Sequence, residues 1–73
     1  MAAAKLNPDR LAREMMLRGW HGIDLAYFAG VSPATVSAAL QGRQVSTTTL
    51  RKMALALSGS PTVPGVEDLL QAQ

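Results

Sequence analysis

Apolar side chains in this chain recur at helical spacing, and capping signals divide them into segments. Asn7-Pro8 opens the first, with asparagine at the N-cap, proline at the first helical position and Asp9 against the positive end of the helix dipole. Leu11, Met15 and Arg18 follow at helical intervals until Gly19 ends the run. Trp20, directly after that glycine, is expected to fold back onto the core. A short second helix is predicted from about Gly22 to Ala29, with His21 at its edge, Asp24 in its first turn and Gly30 as its stop. Ser32-Pro33 starts a third by the same cap-and-proline device; it carries Val36, Ala39 and Leu40 and stops at Gly42. Ser46 caps a fourth, whose Leu50, Met53, Ala54 and Leu57 form one stripe at i, i+3, i+4 and i+7. Ser58 to Pro64 reads as a loop, and a last short helix is expected from Pro64 or Gly65 to Gln71. No strand is assigned. Val45 and the threonines after it suit extended backbone, but no second run offers a partner.

Composition narrows the class. Seventy-three residues make one small domain, which buries only about 60% of its unfolded surface. Trp20, Tyr27 and Phe28 are the only aromatics, so a chain that is 48% apolar builds its core from Ala, Leu, Val and Met. That favours close-packed helices over sheet, and an all-α fold of four to five helices is expected. With no cysteine there is no disulfide framework, thiolate zinc site or cysteine nucleophile. One histidine and five carboxylates make no metal cage, so neither metal nor cofactor is expected. An enzyme is not expected either, since His21 is the only imidazole base and no glycine-rich phosphate loop follows a strand. A catalytic or small-molecule pocket of about 300 Å³ would consume most of so small a core. The longest apolar stretch, Leu25 to Val31 with only Gly30 breaking it, is far below the ~20 residues that span a bilayer. The Met-Ala-Ala-Ala-Lys opening lacks the apolar centre of a signal peptide, so a soluble cytoplasmic protein is expected.

Net charge is only +2, but it is unevenly spread. From Leu25 to Val66 there is no Asp or Glu, while Arg43, Arg51 and Lys52 fall inside that window. Such a stretch suits a polyanionic partner, and it also arises by chance clustering of a few charges. The same window holds the most informative spacing. Gly30-Val31-Ser32 alone joins the second and third helices, too tight for antiparallel packing but suited to a helix-turn-helix crossing. Ala26 is small where the helices must approach, and Gly30, four residues on, supplies the positive φ that closes the turn. Val31, Val36 and Ala39 then plug the angle between them.

On these residues the chain from Gly19 to Leu57 resembles the DNA-binding domain of the Cro and C1 phage-repressor family. Ala29-Gly30-Val31-Ser32-Pro33-Ala34-Thr35-Val36-Ser37 is also similar to the helix-turn-helix of LacI-type repressors. The downstream Gly42-Arg43-Gln44-Val45-Ser46 and Thr49-Leu50-Arg51-Lys52-Met53-Ala54-Leu55-Ala56-Leu57 favour Cro/C1, which closes its fold with a helix patterned Thr-Leu-x-x-x-Ala-x-Ala-Leu. Two departures stand out. His21 and Gly22 replace the capping Ser and phosphate-gripping Gln that the family often carries, and Glu14 falls where it usually places an apolar residue, leaving that packing to Met15.

The resemblance implies a lambda-repressor-like domain over residues 7–58, between a flexible N-terminus at 1–6 and a linker with a short C-terminal helix at 59–73. It implies a sequence-specific regulator on double-stranded DNA in the nucleoid: a compact repressor of a phage or mobile element, or an antitoxin-like autoregulator. The third helix is then the recognition helix, with its N-terminal half in the major groove. Its outward positions would be Ser32, Pro33, Ala34, Ser37, Ala38 and Gln41. The methyls of Ala34 and Ala38, with Pro33, suit thymine methyls, and the hydroxyls of Ser32 and Ser37 suit a base edge or a phosphate. Gln41, Arg43 and Gln44 supply longer reach, Arg43 into a minor groove or onto a phosphate. Thr35 bonds its own backbone or a phosphate, and Thr47 and Thr48 lie where helical amides cradle a phosphate. Ser32 is a helix cap in either case, His21 a cap or surface group, and Arg51 and Lys52 a solvated face. Trp20 and Phe28 are expected in the core, whereas Tyr27 faces outward as a surface ring or phosphate donor.

One module of this size reads few base pairs, so a homodimer on a palindromic operator is expected. Its interface is placed on the tail, at Val63, Val66, Leu69 and Leu70; the alternative folds that tail over the first or fourth helix to complete a monomer's core. The competing function is a protein-binding module of the same fold, of the anti-activator kind, that does not touch DNA.

Overall fold

Each helix starts where a short polar side chain meets unpaired amides. In the computed structural model, which describes residues 3–65, Asn7 Oδ1 accepts from the N–H groups of Asp9 (3.0 Å) and Arg10 (3.1 Å). Helix α1 runs Pro8–Leu17 behind that cap. Helix α2, Gly22–Ala29, follows a bend in which the His21 N–H donates to the Asp24 carboxylate at 2.8 Å. At its end Gly30 adopts φ +71°, and the N–H of Val31 reaches back to the Ala26 carbonyl at 3.0 Å. The chain turns through 120° there and enters α3, Pro33–Leu40, capped by Ser32. Gly42 closes α3 in the same way, with the Arg43 N–H on the Ala38 carbonyl at 3.0 Å. Strand β2, Gln44–Ser46, leads directly into α4, Thr47–Ser58.

The protein is thus mostly helical, but one expectation needs correction. Residues Ala3–Lys5 form a strand, β1, antiparallel to β2, with Ala3 opposite Ser46, Ala4 opposite Val45 and Lys5 opposite Gln44. Half of the segment expected as a flexible N-terminus is therefore paired. Val45 is buried against the core, which holds β2 extended between the closure of α3 and the cap of α4. An extended backbone has unpaired N–H and C=O groups along its edge, and β1 meets them. Ala-Ala-Lys carries no alternation from which this partner could be read.

Leu11 and Met15 of α1, Leu25, Ala26 and Ala29 of α2, Val36 and Ala39 of α3, Val45 of β2 and Met53 of α4 form one core. Leu6, Trp20, Val31, Leu40, Leu50, Ala56 and Leu57 pack around it, partly buried. Met15 does take the buried place beside Glu14. Two inward assignments are corrected. Phe28 is 56% exposed, because Leu25, Ala26 and Ala29 fix the core side of α2 and leave Phe28 on its flank. Ala54 is exposed, because the buried side of α4 is centred on Met53 with Leu50, Ala56 and Leu57 about it.

The far ends of α1 and α4 are tied together. The Arg18 guanidinium donates through Nε to the Leu57 carbonyl (3.0 Å) and through Nη1 to the Glu14 carbonyl (2.8 Å) and carboxylate (2.9 Å). Beyond α4, the Val63 N–H donates to the Leu17 carbonyl at 2.6 Å, and its side chain lies over Gly19. The start of the tail thus returns to the end of α1, with Val63 44% exposed. Val66, Leu69, Leu70 and the body of the predicted last helix lie outside the described residues; Pro64 and Gly65 form a turn. Among the described residues no single helix is long and apolar enough to cross a membrane.

Candidate nucleic-acid interface

The core positions of α3 decide what it shows to solvent. Val36 and Ala39 are buried, which leaves Ser32, Pro33, Ala34, Ser37 and Gln41 exposed along the opposite side. Thr35 and Ala38 are half-buried on the margins, so Ala38 is less outward than its sequence position implied. No side chain on this face carries charge, and none except Gln41 is long.

The hydroxyls on the face are partly committed. Ser32 Oγ accepts from the Thr35 N–H at 3.1 Å and lies 2.8 Å from Thr35 Oγ1. One hydroxyl hydrogen joins the two oxygens, so the pair retains a single hydrogen for an outside acceptor. Ser37 Oγ accepts from Gln41 Nε2 at 3.4 Å, a long bond that a better acceptor replaces readily. The same device recurs in α4, where Ser46 Oγ accepts from the Thr49 N–H (3.0 Å) and donates to Thr49 Oγ1 (2.8 Å). Thr49 was missed in the sequence; the signal was there, since both caps read Ser-x-x-Thr.

Arg43 and Gln44 follow α3 and are exposed; Thr48 is exposed and Thr47 half-buried at the start of α4. Gln44 is also a strand residue, opposite Lys5, so its backbone is held in place. Arg51 and Lys52 are exposed further along α4. The nearest acid in sequence, Asp24, is engaged with the His21 N–H, and no carboxylate lies between Leu25 and Gly65. The segment from α3 to α4 therefore carries cations and hydroxyls and no carboxylate of its own. The structure brings Ser32, Pro33, Ala34, Ser37 and Gln41 onto α3 and its caps, Arg43 into the turn after it and Gln44 to the start of β2. Thr47 and Thr48 stand one short strand further on, and Val63 lies away at the end of α1. Among the described residues no three histidine or acidic side chains gather as metal ligands. No family model, curated protein or solved structure matches this chain.

Proposed function

We propose that this chain is a lambda-repressor-like helix-turn-helix regulator that binds double-stranded DNA sequence-specifically, as a homodimer on a palindromic operator. The observation that carries the reading is the exposed face of α3, which is uncharged, of low relief, set 120° from α2 and followed at once by exposed Arg43. Small side chains let the helix backbone approach base edges closely. Methyls at Ala34 and Pro33 meet thymine methyls, and Ser37 reaches a donor or acceptor in the major groove. Gln41 and Arg43 extend that reach, while the amides at the start of α4 and the Thr48 hydroxyl hold phosphate. Cations are few in each copy, so two copies are needed for useful affinity and discrimination.

Selection of bound duplexes from a random pool, followed by a salt titration, tests the reading. Enrichment of one two-fold half-site and a linear fall of log affinity with log salt are expected. A pool that yields no motif at low salt overturns it. A second reading, a module that binds protein alone, draws on the exposed Ile23, Tyr27 and Phe28 of α2. It predicts that no duplex is retained while a protein ligand is.

A further inference from the structure

Three rings run in sequence over α2 and the turn before it. Trp20 stacks on Phe28 with centroids 4.9 Å apart and planes 19° from parallel, and Phe28 meets Tyr27 edge-on at 5.3 Å. Tyr27 is 80% exposed and Ile23, one turn before it on α2, is 68% exposed. Val63, 44% exposed, lies over Gly19, the residue before Trp20. None of these side chains carries charge. Aromatic side chains offer about 150–250 Å² each and aliphatic ones somewhat less, so the exposed parts of Tyr27, Phe28, Ile23, Val63 and half-buried Trp20 together sum to roughly 550 Å². That is the upper end of what an ordinary monomer leaves open, about 300–600 Å².

We infer that this face is where two copies of the chain meet. Doubled across a two-fold axis and fully covered, it buries about 1,100 Å², just under the ~1,200–2,000 Å² of standard specific interfaces and above the roughly 1,000 Å² that such an interface must clear. A neutral ring surface meets its own copy without like-charge repulsion, and it holds no charge with which to select a partner of opposite sign. None of its residues belongs to the exposed side of α3 or to the turn that carries Arg43. The inference rests on the dimeric reading above and supplies its surface, to which Val63 belongs.

Sedimentation of the full chain without DNA, from low to high micromolar, tests it. The wild type moves from monomer mass toward twice that value. Tyr27→Glu and Ile23→Glu, at exposed positions, keep the helical circular dichroism and weaken association by about tenfold or more. Ala34→Glu, on the other face, associates as the wild type and loses DNA. A wild type that stays monomeric at high micromolar concentration overturns the inference. So does association that survives Tyr27→Glu and Ile23→Glu but is lost in Leu69→Asp with Leu70→Asp, which assigns pairing to the tail alone. Failure of the wild type to bind any duplex sinks the DNA reading and leaves the sedimentation result intact.

Discussion

Arg18 ties two distant segments of this fold together. Its side chain is only 9% exposed, and its guanidinium bridges the last turn of α4 to the last turns of α1. Arg18→Ala leaves the Leu57 carbonyl without this donor and is expected to cost about 2 kcal/mol, read from urea unfolding. Lysine at the same place, with a point charge instead of a planar fork, recovers only part of that loss. The Arg18 hydrogen bond is also the main cause of a Glu14 carboxyl held below the ordinary range, with Arg10 assisting. A carboxyl whose folded pKa is depressed stabilises the fold fully above its unfolded pKa and loses that contribution as pH falls through the folded value. Stability is therefore expected to fall below about pH 4. In Glu14→Gln the difference from wild type should be constant near neutrality and shrink in acid; a constant difference down to pH 2 argues against this account.

At the scale of elements, the α2–α3 crossing is set by small residues and a left-handed glycine. Ala26 is buried in the crossing, and its carbonyl accepts the Val31 N–H that closes the turn. Ala26→Leu is expected to lose about 1–3 kcal/mol through overpacking, which differential scanning calorimetry would register as a lower Tm. Gly30 faces open space, so a methyl there meets nothing and only the backbone conformation resists it. Gly30→Ala therefore isolates the cost of a positive φ, about 1–2 kcal/mol. An unchanged Tm in Ala26→Leu would mean that the helices slide apart without penalty, contrary to a crossing fixed by close contact.

The described residues present two surfaces on different helices, the low polar face of α3 and the aromatic face of α2. Their placement on different helices allows a direct test of which one reads DNA. Ser37→Glu places an anion on an exposed position of α3 and should abolish duplex binding while leaving thermal unfolding unchanged. Arg43→Ala should weaken binding to all sequences alike and reduce the salt slope by about 1 per copy. Wild-type slopes in both variants would remove α3 and its following turn from the interface.

What the sequence determined by itself is what depends on neighbours three or four residues apart. Asn7, Ser32 and Ser46 cap amides at N2 or N3, and Gly30 and Gly42 close turns through the next residue, so the helix bounds were legible. The outward positions Ser32, Pro33, Ala34, Ser37 and Gln41 followed from the same period once Val36 and Ala39 were placed inside. Only the tertiary structure decided which flank of an apolar run is buried. Phe28 and Ala54 went outward because neighbouring helices cover only the sides centred on Leu25 to Ala29 and on Met53. It also decided every bond between distant segments. Arg18 finds the Leu57 carbonyl 39 residues away, and Ala4 finds Val45, because packing of the core brings those backbones together. Neither pairing has a local pattern, since hydrogen bonding to a carbonyl or a strand edge asks nothing of the partner's side chain.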